Sequence, residues 1–125
     1  MNLYDLKTVP TKNNTRKLLY KYKYKNIIVP KDFETNGADV PRIFWIVLPP
    51  FKPKYEPAYM VHDYMIKEAK KIDNKELRWA SIRIANKTYI DIISSVENNK
   101  TFIKIMYSCL KAYWNFRNKF NLINN

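Results

Sequence analysis

The sequence predicts an α+β fold, in which a small N-terminal β-hairpin or sheet and a proline-rich loop pack on three C-terminal helices. Three observations predict it: tyrosine alternates with lysine over residues 20–25, five prolines fall within residues 32–57, and the remainder shows apolar residues at helical spacing. A chain of 125 residues can bury one modest core. We therefore expect a single domain over residues 1–125, with strands and loops in 1–57 and helices in 56–120.

The tyrosine–lysine segment, YKYKYK, predicts the first strand of a hairpin. Alternate residues of a strand lie on opposite faces, so the three tyrosines share one face and Lys21, Lys23 and Lys25 the other. Lys25-Asn26 fits a turn, and IIVP follows as the second strand. We expect the tyrosine face to be half-buried. Alternatively, tyrosines interleaved with lysines could stack bases beside phosphates, which would make the lysines an anion-binding site for nucleic acid.

Residues 32–57 are predicted to form a loop, because their prolines restrict the backbone. The apolar run IFWIVL lies within this loop and is expected to be buried. Gly37, the only glycine of the chain, is expected to adopt a backbone conformation that is closed to other residues.

Three helices are predicted after the loop, at roughly Glu56–Ile72, Lys75–Val96 and Lys100–Phe120. The first carries one stripe at helical spacing: Ala58, His62, Met65 and Ala69. The second begins after Asp73 or Asn74, either of which is a good N-cap. It carries a stripe of Leu77, Ser81, Ile84 and Thr88. The third is expected to face inward with Ile103, Met106, Tyr107, Leu110, Tyr113 and Trp114.

The charge of the chain is strongly positive, with a net charge of +12. No acidic residue lies between Lys7 and Lys31, and none follows Glu97. Such an excess attracts anionic partners, whether nucleic acid, acidic lipid or an acidic protein surface. The basic residues could equally form a solvated face that is built from both ends of the chain.

Several classes of protein are disfavoured by the sequence. No apolar run is long enough to cross a bilayer, and the N-terminus lacks the apolar region of a signal peptide, so we expect a soluble protein made in a cytoplasm. The single cysteine, Cys109, excludes an internal disulfide and is expected to be a buried small residue. There is no glycine-rich phosphate loop and no G-x-S-x-G motif.

The only histidine lies in VHDYM, residues 61–65. Helical spacing directs His62 inward and rotates Asp63 by about 100°, so Asp63 is not the natural residue to orient the imidazole. His62 could act as a general base, and Asp63 could contact the Gly37 loop or hold a cation with backbone carbonyls. With one His and one Cys, such a metal would rest mainly on oxygen ligands, which favours calcium or magnesium.

A catalytic histidine also needs a partner on its second nitrogen, usually a carboxylate from another element. The candidates are Asp39, Asp73 and Glu76. The alternative is that His62 is a structural residue, bonded to a carbonyl or to a tyrosine hydroxyl.

The segment IIVPKDFETNGADVPRIFW, followed by KYEPAYMVHDYM, resembles a phage and prophage family, domain-of-unknown-function family 1353. The family pattern is V-P-x-x-F, T-D-G-A-S-[IV]-P-R-x-x-W, a proline-rich stretch and Y-x-x-A-x-x-x-H-D-x-x-Y. A helix with an A-D-x-x-F-like segment follows, and then one with M-Y. The match runs from Ile27 to Met65, and Met106-Tyr107 fits the last element. The matching residues are Pro30, Phe33, Thr35, Gly37, Ala38, Val40, Pro41, Arg42, Trp45, Tyr55, Ala58, His62 and Asp63.

The chain departs from this pattern at several positions. Asn36 replaces an Asp, Asp39 replaces a Ser, and Met65 and Ile66 stand where a tyrosine would follow H-D. In the second helix, ELRWASIRIA lacks the expected acid, which leaves Glu76 or no acid at all. The resemblance implies a phage-type origin and a pocket that joins the Gly37 loop to His62 and Asp63. The walls of that pocket would be Thr35, Asn36, Gly37, Arg42 and Trp45.

A weaker analogy concerns secreted phospholipases of the A2 type, in which a helical H-D pair supplies the base and a calcium ligand. Their disulfides and glycine-rich calcium loop are missing here. The analogy suggests a mechanism to test, with Asp63 as the calcium ligand.

Three functions remain open. The first is a virion structural or accessory protein that docks onto an acidic protein surface, with other phage proteins as partners, in the virion or the host cytoplasm. The second is a small hydrolase of a lipid or cell-envelope ester or amide, with His62 as general base. The third is a nucleic-acid binder. An acid/base site seldom tolerates the loss of two carboxylates, so we favour the first, with no cofactor unless calcium binds.

Overall fold

A computed structural model of the chain describes residues 6–12, 15–35 and 53–120. Within these ranges, short strands precede long helices, which confirms the predicted α+β class. The strands are β1 (Thr8–Pro10), β2 (Arg16–Leu18), β3 (Tyr22–Tyr24), β4 (Ile27–Val29) and β5 (Glu34–Thr35). The helices are α1 (Glu56–Lys70), α2 (Lys75–Val96) and α3 (Lys100–Lys119), and a 3₁₀ turn over Pro53–Tyr55 leads into α1.

The predicted hairpin is confirmed as β3 and β4, although β3 is shorter than the alternation suggested. The two strands pair antiparallel, with Lys23 opposite Ile28 and Tyr24 opposite Ile27. Lys25 in the connecting turn has a φ of 52°, in the left-handed region that non-glycine residues seldom occupy. The lysine side chains of this strand are exposed, as predicted.

A second, three-stranded antiparallel sheet was not predicted, and its strands follow the order β1-β2-β5. Its strands have only two or three residues, which is too short for an alternating pattern to stand out. The interpretation of residues 32–57 as a loop is wrong at its N-terminal end, because Glu34 pairs with Lys17, whereas α1 begins at Glu56 as predicted. The run IFWIVL and Gly37 lie outside the described residues.

The helices begin where the sequence predicts, and side-chain caps explain the starts of α2 and α3. The side chain of Asn74 accepts a hydrogen bond of 2.9 Å from the backbone N–H of Leu77, so Asn74 rather than Asp73 is the N-cap of α2. Asn99 caps α3 in the same way, with a bond of 3.0 Å from the N–H of Phe102. Side-chain oxygens at this position satisfy N–H groups that have no partner within the helix. None of the described helices is long and apolar enough to cross a membrane.

The core lies where α1 packs on α2, and α3 covers the other side of α2. The α1 stripe is buried at three of its four positions, and Met65 is half-buried. The α3 residues Met106, Leu110 and Trp114 are fully buried. Cys109 is half-buried rather than buried, contrary to expectation.

The stripe that the sequence indicated on α2 is not the buried one. Leu77 and Ile84 are 58% and 59% exposed. A second stripe at the same helical spacing enters the core instead: Ile82, Ala85, Tyr89, Ile92 and Ile93. Because α2 carries apolar residues on more than one side, periodicity alone cannot decide which side the rest of the molecule covers.

Candidate functional site

The polar residues buried in the described part of the chain are Thr35, His62, Asp63 and Asn86, here called the polar cluster. Thr35 comes from β5, His62 and Asp63 from α1, and Asn86 from α2. Helix α1 packs against both of the other elements, which brings the cluster to the centre of the fold. Buried polar groups are retained where hydrogen bonds compensate for their lost hydration.

His62 forms a hydrogen bond with an amide from the neighbouring helix. Its Nε2 lies 2.8 Å from Oδ1 of Asn86, and the two residues are only 1% and 3% exposed. An amide oxygen can only accept, so Nε2 carries the hydrogen in this arrangement. The imidazole also packs edge-to-face with the Tyr89 ring, at 5.2 Å between ring centroids. Burial raises the pKa of the Tyr89 hydroxyl well above its usual value, which marks this side of the histidine as poorly hydrated.

Asp63 interacts with a different part of the molecule. Its carboxylate lies 3.6 Å from Nζ of Lys67, one turn later on α1. The same ammonium donates to the backbone carbonyl of Glu34 at 3.3 Å and lies 4.7 Å from the centroid of the Phe33 ring. The rotation of about 100° between adjacent helical residues therefore directs Asp63 and Lys67 towards β5, whereas His62 bonds to α2.

The carboxylates proposed to orient His62 within the helical part are not close to it. Glu76 is exposed in the first turn of α2, ten residues before Asn86, which corresponds to about 15 Å along the helix axis. Asp73 is exposed in the turn before α2, farther still from Asn86. The remaining candidates lie outside the described residues: Asn36, Gly37, Asp39, Arg42 and Trp45. Within residues 6–12, 15–35 and 53–120, no group of three His, Cys, Asp or Glu side chains could hold a metal ion.

Asn86 is the site residue that sequence reasoning missed. The segment Ala85-Asn86-Lys87-Thr88-Tyr89 fits the A-D-x-x-F-like element of the family pattern, with Asn for Asp and Tyr for Phe. The segment ELRWASIRIA, which lacks an acid after Glu76, ends at Ala85, directly before Asn86. An amide at this position keeps an oxygen that accepts a hydrogen bond, but it supplies no negative charge to an imidazolium.

The hairpin lysines are exposed, but their neighbouring tyrosines mostly are not. Tyr22 is 3% exposed, and Tyr24 is half-buried against the core beneath the ammonium of Lys25, 5.5 Å from its ring centroid. Tyr20 is 67% exposed, but it precedes β3. The hairpin therefore presents lysines to solvent and directs its strand tyrosines inward.

A second polar contact joins the start of α1 to the connection between α2 and α3. Tyr55 and Lys54 donate to Oε1 of Glu97, at 2.5 and 3.0 Å, and the N–H of Asn99 donates to Oε2 at 3.1 Å. These donors, Tyr55 first, lower the pKa of Glu97 from its ordinary 4.5 to about 2. This contact holds the start of α1 against the connection between α2 and α3.

The fold and the site define a small α+β protein in which a buried histidine–amide pair joins the two central helices. The chain belongs to the family described as Protein of unknown function (DUF1353), whose model matches residues 14–110. The resemblance stated from the sequence is thereby confirmed. Comparison with curated proteins and with solved structures gave no match.

Proposed function

We propose that this chain is a non-catalytic, phage-type virion or accessory protein that docks through its basic surface onto an acidic protein partner. The observation that carries the proposal is the environment of His62. A general base must reach the proton that it removes, directly or through one water. His62 is 1% exposed and its Nε2 is engaged with Asn86, which favours a structural role.

The absence of charge on Asn86 supports the same conclusion. A carboxylate behind a catalytic imidazole stabilises the imidazolium that forms when the base takes up a proton. Asn86 cannot do this, although it fills the position that the A-D-x-x-F-like element gives to an acid. The hydrolase hypothesis therefore lacks support within the helical part of the site.

Binding of nucleic acid by stacked bases also receives little support. Stacking needs exposed aromatic faces beside the cations. Tyr22 and Tyr24 face inward and the exposed Tyr20 precedes β3, so the strand itself offers lysine without the matching rings. What it retains is a positively charged surface within a chain of net charge +12, and this favours an acidic partner.

The chemical reactivity of His62 tests the proposal. His62 is the only histidine, so the carbethoxyhistidine absorbance produced by diethylpyrocarbonate reports on it alone. We expect the native protein to react more than about tenfold more slowly than the urea-unfolded chain, because reaction requires local opening. We also expect calcium to leave both this rate and the imidazole NMR signals unchanged, in the wild type and in Asp63→Asn. Rapid native modification, or a response to calcium that Asp63→Asn abolishes, would instead establish an accessible site and support the hydrolase.

A further inference from the structure

A groove lies between the β3–β4 hairpin, α1 and α2. Its volume is about 490 Å³, and its lining is largely apolar, with Ile27, Ile28, Met65, Ile72 and Ile84 among the contributors. Ile28 and Ile84 are 51% and 59% exposed. The acid on its wall, Glu68, is paired with Lys71 at 2.8 Å. The groove therefore combines exposed apolar side chains with an acid that is already compensated.

Lysines flank this groove on the hairpin side. Lys23 is directly opposite Ile28 in the β3–β4 register, and opposite residues of an antiparallel pair project from the same face of the sheet. Lys21 and Lys25, two residues away on either side, are also exposed. These three exposed lysines, here called the lysine face, give the hairpin a positive charge, and Lys23 projects from the same face as Ile28.

The groove has the length of two helical turns. The lining includes Met65 on α1 and continues to Ile72, two residues past the end of that helix at Lys70, which corresponds to about 10 Å at the helical rise. On α2, Ser81 and Ile84 line it, and the exposed Leu77 extends the same stripe seven residues from Ile84. An amphipathic helix that inserts apolar residues at i, i+3, i+4 and i+7 spans the same distance. Met65 is unbranched and can adapt its shape to such an insertion.

We propose that this groove binds an acidic amphipathic helix of a partner protein. The apolar side of that helix covers Ile28 and Ile84, and its acidic residues face the lysine face. The proposal rests on the proposed function and specifies the partner that the basic surface recognises. It also gives a role to the Leu77–Ile84 stripe, which the core leaves exposed.

Charge identifies the occupant as a partner and not as a second copy of this chain. Two copies would each bring a net charge of +12 to the contact, and α3, with five lysines and arginines and no acid, would be no better as a ligand. Opposite charges at the edge of an apolar contact accelerate association and exclude like-charged competitors. An amphipathic acidic helix supplies both an apolar side for the groove and negative charge for the lysines.

Fluorescence anisotropy with a designed peptide tests the proposal. The probe is a fluorescein-labelled peptide of about 14 residues, with leucine at i, i+3, i+4 and i+7 and glutamate and alanine elsewhere. We expect Ile84→Glu to weaken its binding by about tenfold or more, because a charge then faces the apolar side of the peptide. The matched control is Ile105→Glu, on the exposed side of α3 (46% exposed), which should change affinity by less than about twofold. Replacing Lys21, Lys23 and Lys25 by glutamine should weaken binding chiefly at low salt.

Several results would overturn the inference. A scrambled peptide of the same composition that binds equally well would indicate attraction by charge alone. Equal losses of peptide affinity in Ile84→Glu and Ile105→Glu would show that the peptide does not bind in the groove. A single-stranded oligonucleotide that binds more tightly, and depends on the lysines but not on Ile84, would assign the surface to nucleic acid. Failure of the peptide to bind would refute the groove proposal while leaving the histidine test, and hence the non-catalytic role, intact.

Discussion

Replacing Asn86 by leucine isolates the contribution of the His62–Asn86 hydrogen bond to stability. Leucine is close to asparagine in size and removes the amide without opening a large cavity. In the wild type, Nε2 of His62 lies 2.8 Å from the amide oxygen of Asn86. In the variant, a methyl group takes the place of that oxygen. Because the imidazole is 1% exposed, water cannot easily replace the lost partner.

The expected loss follows from the asymmetry of buried hydrogen bonds. A typical hydrogen bond contributes only about 0.5–1.5 kcal/mol to stability, but leaving one buried partner unpaired costs about 1–3 kcal/mol. The apolar contacts of the new leucine offset part of this. We therefore expect the free energy of unfolding to fall by about 1–3 kcal/mol, which is a large fraction of the roughly 5–15 kcal/mol typical of folded proteins.

Urea denaturation, followed by circular dichroism and by tryptophan fluorescence, measures this loss. With an m-value of about 1.5 kcal/mol/M, the midpoint should move down by about 0.7–2 M. The matched control is Asn115→Leu, which removes an exposed amide from the C-terminal half of α3 and should change stability by less than about 0.5 kcal/mol. If the midpoint of Asn86→Leu coincides with that of the control, the contact between His62 and Asn86 does not stabilise the fold, and the structural role assigned to His62 is wrong.

Two further variants test contacts at the helix ends. The pKa of Glu97 is lowered when the chain folds, so its stabilisation is complete above about pH 4.5 and is lost as the pH falls towards 2. Glu97→Gln should therefore flatten the thermal stability profile between these pH values, and an unchanged slope would contradict the assignment. Asn74→Ala should cost about 1 kcal/mol in urea denaturation by removing the N-cap of α2, whereas Asn98→Ala, which removes no such cap, should cost much less.

The helices were predictable from the sequence because their signals are local. Each starts at the predicted residue, Glu56, Lys75 and Lys100, and two of these starts follow an asparagine whose side chain caps the helix. Such caps join residues only three apart in the chain, so they can be recognised from the sequence alone. The hairpin turn at Lys25-Asn26 was predictable for the same reason.

The elements that were missed depend on partners distant in the chain. Strand β5 is only two residues long. Glu34 and Thr35 become a strand because they pair with β2, and no pattern in the sequence of β2 predicts this pairing. The buried face of α2 is likewise selected by α1 and α3. Apolar residues recur at helical spacing on both faces of α2. The packing of the other helices buries Ile82 and leaves Ile84 exposed.

The candidate site shows the same division between local and distant information. That His62 faces inward follows from helical spacing, and so does the separation of Asp63 from it. The identity of the group opposite His62 depends on how α1 and α2 pack, and it proved to be Asn86. Since an amide preserves the hydrogen bond without the charge, the cluster can hold α1 and α2 together while lacking the electrostatics of an acid/base site. The proposed docking function therefore rests on the surface of the chain, where Ile28 and Ile84 are exposed and line the groove.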